Sequence, residues 1–284
     1  MATGLSGVSQ LSSLFNNIYE DAVFAVQENT IATRLVTTFT NGAGDQTRQL
    51  PQYSTVSFAS VAETEDFSNP TQLTKTSLAT LTPGEVMAQI ILTDRRIATD
   101  PQDARADAST VLGFGAADKV DSDVLSNTSS LTGATIGVTG STMIWGYFFA
   151  AVSQLRNGKV PGPLYAIMSP YQWHNLAKVA TVSQTVTNAP TFQDEVMRRW
   201  YVGTVAGVEI FVSANVETSG TDAYAAVFNP RAMAFDLRQD FRVEPERDAS
   251  KRAWELNATM LYAHGVWRPL WGAYILTDNS APTS

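Results

Sequence analysis

The sequence has no cysteine in 284 residues. That excludes a disulfide framework, zinc–thiolate sites, iron–sulfur clusters and a cysteine nucleophile, and it fits folding in a reducing compartment. Histidine is scarce as well: His174 and His264 are the only two, too few without thiolates for the common zinc sites. Neither belongs to a nucleophile motif such as G-x-S-x-G, so no Ser-His-Asp reading arises and packing or surface roles are expected for both. Basic runs are missing. With 19 Lys+Arg against 27 Asp+Glu the formal net charge is −8, which argues against a dedicated nucleic-acid or anionic-membrane binder. Any contact with DNA is expected to be weak and non-specific. The N-terminus, MATGLSGVSQL, lacks the positive n-region and apolar stretch of a signal peptide. The most apolar segment, Met143 to Val152, is about half the length that crosses a bilayer. A soluble protein without a membrane partner is expected.

Charge is the remaining shortage. Only 16% of residues are Asp, Glu, Lys or Arg, against about 25% in typical soluble domains. Surfaces buried in an oligomer and a neutral Ser/Thr-rich coat both account for this.

No repeat of 20–50 residues and no low-complexity tract is present, but the segments differ in character. A polar start leads into a mixed apolar stretch, Ile18 to Phe39, and Asn41-Gly42-Ala43-Gly44-Asp45 marks a turn. Two β-rich runs follow, Arg48 to Val61 and Thr71 to Thr80, around an acidic tip that contains Glu63, Glu65 and Asp66. A lone hairpin is marginal in water, and this one has few apolar residues to pack on its own domain, so it needs a partner surface.

Thr82-Pro83-Gly84-Glu85 has the form of a capping box with Pro at N1, and Asp100-Pro101-Gln102-Asp103 repeats the signal. Helices are expected over 83–98 and 101–126. In the second, Ala104, Ala108, Leu112, Ala116, Val120 and Val124 form a narrow apolar stripe, with a bend expected near Phe114 between Gly113 and Gly115. Ser126 to Gly140 reads as flexible. Ser141 is expected to open an apolar helix ended by Asn157-Gly158. Pro163 to Met168 reads as a buried strand, and Ser169-Pro170 caps a helix carrying Trp173, Leu176 and Val179, an α/β arrangement. A short helix over Asp194 to Trp200 and a strand pair joined at Ala206-Gly207 complete this region.

The stretch Phe235 to Tyr262 is the most informative. Phe235, Leu237, Phe241 and Val243 alternate with Asp236, Arg238, Asp240, Arg242 and Glu244, giving one apolar and one charged face. Trp254, Leu256, Ala258, Met260 and Tyr262 alternate on the return strand. The hairpin tip, Pro245 to Arg252, carries both signs of charge. Solvation explains such a face, and so does pairing with copies of itself, because alternating signs favour one register and penalise others.

No catalyst emerges. Glu63/Glu65/Asp66 and Asp118/Asp121/Asp123 are the acidic clusters that could hold a metal, but the second fails EF-hand spacing and a solvated turn and helix face are the default readings. Gly42-Ala43-Gly44 and Gly113-Phe114-Gly115 lack the setting of a phosphate loop. No enzyme activity, metal or cofactor is expected.

The order of segments, more than any motif, resembles the major capsid protein of tailed bacteriophages, an α+β HK97-like (Hong Kong 97 type) fold, over nearly the whole chain. Local phrases resemble it too: Ala166-Ile167-Met168-Ser169-Pro170 leading into Tyr171-Gln172-Trp173, then Val202-Gly203-Thr204-Val205-Ala206-Gly207-Val208-Glu209-Ile210, Val227-Phe228-Asn229-Pro230, Val243-Glu244-Pro245-Glu246-Arg247-Asp248 and Val266-Trp267-Arg268-Pro269. The resemblance implies an N-terminal arm (1–44), an extended hairpin loop, the E-loop (45–82), a spine helix with the start of a peripheral (P) domain (83–140), an axial (A) domain (141–229), the long P-domain hairpin (230–264), and a C-terminal A-domain strand with its tail (265–284).

It also implies hexamers and pentamers of one chain closing an icosahedral shell around double-stranded DNA. Such a virion capsid protein would be assembled in the host bacterial cytoplasm, with scaffolding, portal and decoration proteins as further partners. The E-loop would lie across a neighbour, and the tip at 245–252 would meet its copies where capsomers join. Inter-subunit contacts are then expected from Glu63, Glu65, Asp66, Lys75, Arg238, Arg242, Glu244, Glu246, Arg247, Asp248, Lys251 and Arg252. Some members crosslink through Lys and Asn, and Lys75 is the loop's candidate by position. Deleting 48–80 is expected to spare the core and abolish shells, and reversing Arg238 and Arg242 to harm assembly more than folding. Two other readings stay open: an encapsulin-like nanocompartment shell around a cargo enzyme, and an α+β enzyme with a metal on the acidic cluster.

Overall fold

Two amphipathic surfaces seen in the sequence, the stripe from residue 108 to 124 and the alternating run from 235 to 262, meet face to face. The computed structural model describes residues 30–40, 42, 44, 46–53, 56–61, 63–64, 72–99, 104–182 and 202–282. In chain order its elements are α1 (Ala32–Leu35), β1 (Thr37–Phe39), β2 (Arg48–Tyr53), β3 (Lys75–Leu81), β4 (Gly84–Thr93), α2 (Asp94–Thr99), α3 (Ala104–Leu125), β5 (Ala134–Gly137), α4 (Trp145–Asn157), β6 (Leu164–Met168), α5 (Pro170–Val182), β7 (Val202–Val205), β8 (Val208–Val212), β9 (Thr218–Ser219), β10 (Asp222–Phe228), β11 (Met233–Asp248), β12 (Ala253–Val266) and β13 (Gly272–Asp278). Among the described residues these strands form three sheets. One has the order β1-β11-β12-β4, one runs β13-β10-β6-β8-β7 with β9 attached to β10, and β2 pairs with β3 alone.

In the first sheet Phe235, Phe241, Leu256, Ala258, Met260 and Tyr262 are buried against Ala108, Leu112, Ala116, Val120 and Val124 of α3. Both sequence periods therefore report the same core. The helix runs unbroken through Gly113 and Gly115. Packing of the stripe outweighs the glycine cost of about 1 kcal/mol each. Asp121 joins the chain's earlier residues to this helix by accepting the N–H groups of Ile31 (3.0 Å) and Ala32 (3.0 Å) at the start of α1.

The second sheet is covered on both faces, so its strands read as continuous apolar runs. Ala166, Met168, Ala225, Val227 and Ile275 pack on Phe148, Ala151, Val152 and Leu155 of α4 and on Trp173 and Leu176 of α5. Ile167, Ala226 and Phe228, pointing the other way, complete the α3 core. At the β7–β8 turn Ala206 (φ 53°) and Gly207 (φ 76°) take the left-handed conformations that a two-residue hairpin needs.

Four expectations are corrected. Residues 84–93 form a strand, not a helix, paired with β12 from Gly84↔Tyr262 to Thr93↔Ala253. A ten-residue ladder outweighs the local capping signal at Thr82. The stretch after α3 is ordered by a 3₁₀ turn at Thr128–Ser130 and by β5, with Leu131 fully buried. Its glycines serve close approach rather than flexibility, since a Cβ on Gly137 (φ +82°) would lie 2.2 Å from the Leu276 carbonyl oxygen. Ser141 closes a turn by donating to the Val138 carbonyl (2.6 Å), and α4 starts at Trp145. The β2–β3 ladder ends at Tyr53↔Lys75, short of the expected strand ends, and residues 56–61 lie outside any strand. The helix expected over 194–200 lies outside the described residues.

Gly115 is exposed on α3, and a Cβ there meets no atom within 4 Å. Gly115→Ala is therefore expected to stabilise the subunit by about 1 kcal/mol, measured as a shift of the urea-unfolding midpoint of the unassembled chain at constant slope.

Candidate assembly surface

The β2–β3 hairpin is built into the subunit only at its base. Leu50 and Leu81 are buried with Ala234 and Ala263, against Phe39 and Trp267. Arg48 Nε bonds Asp236 Oδ2 at 2.9 Å, the Arg48 guanidinium stacks 4.8 Å from the Phe39 ring centre, and Gln52 donates to the Trp267 carbonyl. Beyond Tyr53 the large apolar side chains among the described residues face water: Val56 is 51%, Leu73 65% and Phe58 100% exposed. Apolar side chains gathered on a protruding loop mark a contact surface. Glu63 and Lys75 are exposed there, and Glu65 and Asp66 lie outside the described residues.

The charged face of β11 divides in two. At its start the opposite side of the sheet is covered by the hairpin base, so Asp236 is fully buried and Arg238, 4% exposed, bonds it at 2.8 Å. Arg238 therefore sits inside the subunit and not on the free charged face that alternation alone predicts. From Arg242 outward the face is open. Arg242 pairs with Glu244, both more than half exposed.

At the tip Arg247 holds Asp94 with two bonds of 2.8 and 2.7 Å and stacks over Trp254. That hydrogen bond keeps the Asp94 carboxyl below its ordinary value. Asp248 is held lower still, first by the Ser250 hydroxyl and then by the Lys251 N–H. Lys251 also reaches Glu255 at 2.9 Å. Glu246 and Arg252 are exposed. The structure thus brings Arg242, Glu244, Glu246, Arg247, Asp248, Lys251 and Arg252 together along one end of the hairpin, and separates them from the loop residues 63 and 75.

The other acidic cluster has structural work. Asp121 caps α1, Asp118 accepts from Asn215 at 2.8 Å, and Asp123 accepts from Tyr262 (2.6 Å) and Lys119 (2.7 Å). Burial raises the Asp121 carboxyl above its ordinary value, opposed by the two N–H groups it caps. Burial likewise raises Tyr262, helped by Asp123. His264 is pushed below its ordinary value of 6.5 by burial, with Asp123 acting against that and Lys119 with it. Its Nδ1 lies 2.9 Å from Asn127 Nδ2, which suits a neutral ring that accepts. Among the described residues no group of three or more His, Asp or Glu could hold a metal, and no helix is long and apolar enough to cross a membrane. The described residues present two surfaces, an apolar loop and a self-paired charged tip.

Sequence reading missed Arg48, whose role depends on Asp236 far along the chain. It also missed the outward side chains of β4, which the helix reading of 83–98 concealed.

Comparison with known proteins places this geometry. A family model described as phage capsid protein matches residues 88–275. No curated protein matches. Among solved structures, the capsid of cyanophage P-SCSP1u is similar at 17% identity and a TM-score of 0.71, covering 88% of this chain and 89% of that one. A chain from Mycobacterium phage Che8 is similar at 15% identity and a TM-score of 0.70, covering 89% and 92%. A virus-like particle from Pyrococcus furiosus is similar at 11% identity and a TM-score of 0.63, covering 92% and 98%. The fold is the HK97-like α+β capsid fold.

Burial separates two arginines that the sequence treats alike. Arg238→Glu puts a second carboxylate beside buried Asp236 and is expected to cost about 3–5 kcal/mol of subunit stability. Arg242→Glu is expected to cost at most about 1 kcal/mol. Equal urea midpoints for the two variants would contradict the buried pairing. His264 has a folded pKa below its unfolded one, so its neutral form contributes stability that is full above about pH 6.5 and is lost as the pH falls from there through the lower folded value. Acidification from neutral is therefore expected to lower the unfolding midpoint more in the natural chain than in His264→Gln.

Proposed function

This chain belongs to the phage capsid protein family, and from that premise we propose that it closes the icosahedral shell of a tailed bacteriophage as hexamers and pentamers around double-stranded DNA. The observation that carries the proposal is the protruding loop, with Phe58 wholly in water and Val56 and Leu73 more than half so. An isolated subunit gains nothing by holding these residues out, whereas a neighbouring copy would bury them at about 25 cal/mol per Å² of apolar surface. The span 45–82 then acts as the E-loop, α3 as the spine helix within 83–140, residues 141–229 with 265–284 as the axial domain, and the 230–264 hairpin as the peripheral arm. Its charged end would meet other copies where capsomers join.

The net charge of −8 suits a container that encloses a genome without neutralising it. Packaged DNA would be touched non-specifically. Scaffolding, portal and decoration proteins are the other partners of this reading, with assembly in the host bacterial cytoplasm.

Arg48 and Leu50 belong to the subunit core, so the informative deletion removes 54–74 and joins Tyr53 to Lys75 through a short glycine turn. The full chain, expressed in bacteria and imaged by electron cryomicroscopy, is expected to give closed shells or rings of five and six. The deletion is expected to give folded subunits, by circular dichroism, without shells. Intact shells from the deletion would refute the role of the loop. Natural particles filled with a single co-purifying enzyme in place of DNA would assign the chain to a nanocompartment.

A further inference from the structure

The β11–β12 hairpin opens at the pair Met233↔Val266. Beyond it the two chain ends stay side by side, because Trp267 and Arg268 both donate their backbone N–H to the Ala232 carbonyl, at 2.8 and 3.0 Å. Other segments meet them there. Gln52 from the loop base donates to the Trp267 carbonyl, the Phe39 ring lies 6.0 Å from the Trp267 ring, and the Asn229 N–H donates to the Trp271 carbonyl at 3.0 Å. The Arg268 guanidinium lies over two indoles, its carbon 5.1 Å from the Trp267 ring centre and 4.2 Å from that of Trp271.

This cluster is rich in donors and lacks an acceptor. Trp267 Nε1 and Arg268 Nε are buried without a hydrogen-bond partner. Buried polar groups in folded proteins are otherwise paired, and an exception points to a bound water or ion. Charge is unmet as well. Neither Arg231, which is exposed, nor Arg268, which is half-buried, enters an ion pair among the described residues. Burial holds the Arg268 guanidinium below its ordinary pKa, and the charge of Arg231 adds to that.

Three kinds of occupant can be weighed. A water accepts from the buried N–H groups but leaves two like charges beside each other. A carboxylate balances one of them and offers two oxygens in one plane. A phosphate with its second proton lost carries a charge of about −1.5 to −2 at neutral pH, which balances both, and its oxygens accept from donors that approach from different directions. Arginine forks match phosphate oxygens in geometry.

We propose that Arg231, Arg268 and the Trp267 indole form a binding site for a phosphate dianion, either free inorganic phosphate or the end group of a phosphate monoester. The bound ion ties the start of β11 to the end of β12 and, through the Trp267 carbonyl, steadies the base of the protruding loop. The site lies within one subunit, so it stands or falls apart from the reading of the chain as a shell protein.

The test uses the full-length, unassembled chain in chloride buffer at neutral pH and constant ionic strength. Titration with inorganic phosphate, followed by calorimetry and by the Arg268 Nε–H and Trp267 indole resonances, is expected to show saturable binding that moves both signals. The Trp145 indole, which already donates to the Leu176 carbonyl at 3.2 Å, is expected to stay in place. Sulfate, a tetrahedral dianion, is expected to compete, and acetate is not. Arg231→Gln changes an exposed side chain in a turn and is expected to weaken phosphate binding about tenfold or more, with the melting temperature in chloride unchanged. Adenosine monophosphate that binds more tightly than inorganic phosphate, with the same dependence on Arg231, assigns the site to a monoester; weaker binding assigns it to the free ion. Absence of saturable binding by calorimetry and by both resonances overturns the proposal, as does competition by acetate equal to that by sulfate or undiminished binding by Arg231→Gln. A duplex oligonucleotide without terminal phosphates that binds where phosphate does not overturns it in favour of a DNA-backbone contact.

Discussion

A single buried carboxylate determines how the protruding loop leaves the subunit. Asp236 has no exposed surface, and two arginines converge on it: Arg48 from the base of the loop and Arg238 from its own strand. Taking a carboxylate out of water costs several kcal/mol unless it is paired, so the folded chain must bring Arg48 to this point. Once there, Arg48 lies over Phe39, and the strand carrying Phe39 is fixed beside β11. Gly42 closes over Arg238 so tightly that a Cβ would sit 2.2 Å from the guanidinium carbon. Two segments far apart in sequence, residues 39–48 and the start of β11, are thereby held in one geometry. A well-packed apolar substitute for such a pair can be as stable, so what the ions add here is direction: the loop base has one position in which Arg48 joins Arg238 on Asp236 Oδ2.

The same covering explains why one face of β11 behaves in two ways. Where the hairpin base lies over the sheet, charges are buried and paired within the chain. Beyond it they stand in water, where each pair contributes about 0–1 kcal/mol and is screened over roughly 8 Å at physiological salt. The tip charges satisfy one another, Arg247 with Asp94 and Lys251 with Asp248 and Glu255. A surface already paired internally gives up little by remaining in solvent, and so can set register between copies without holding them together. The large unpaid term is apolar, and it sits on the loop and beside β4.

This bears on what the sequence could disclose. Periodicity revealed the α3 stripe and the β11–β12 hairpin because one face of each is buried along its length, and the strand, cap and helix at 164–182 were legible because Ser169-Pro170 stands between two apolar runs. The misreadings have a common cause. Thr82-Pro83-Gly84-Glu85 is a local signal, and β4 is decided by a partner strand some 170 residues later. The Ser/Thr/Gly stretch after α3 looks mobile until the closeness of Gly137 to Leu276 is known. Arg238 and Arg242 are identical in the alternating pattern, and only the placement of Leu50 and Leu81 over Ala234 and Ala263 tells them apart.

Composition left two accounts of the low charge, a neutral coat or buried interfaces. The exposed apolar residues bear on that choice by where they fall. Among the described residues Tyr53, Val56, Phe58, Val61 and Leu73 are on the loop, Met87, Ile91, Val111 and Phe114 are on β4 and α3, and Val138, Ile144, Phe149, Tyr171 and Leu270 are spread over the rest of the subunit. A neutral coat would scatter them, as single exposed apolar residues are on most surfaces. The loop group is not scattered: it projects from the subunit, as one side of a head-to-tail contact between copies would, and such a contact joins different surfaces and closes into rings when the rotation per subunit permits. Each contact can then be modest. A subunit held on both sides in a ring is bound through two contacts at once, and the second forms at the high effective concentration set by the first. Low surface charge is on this argument a consequence of repetition: a chain that meets copies of itself on several sides leaves little of its surface to water alone.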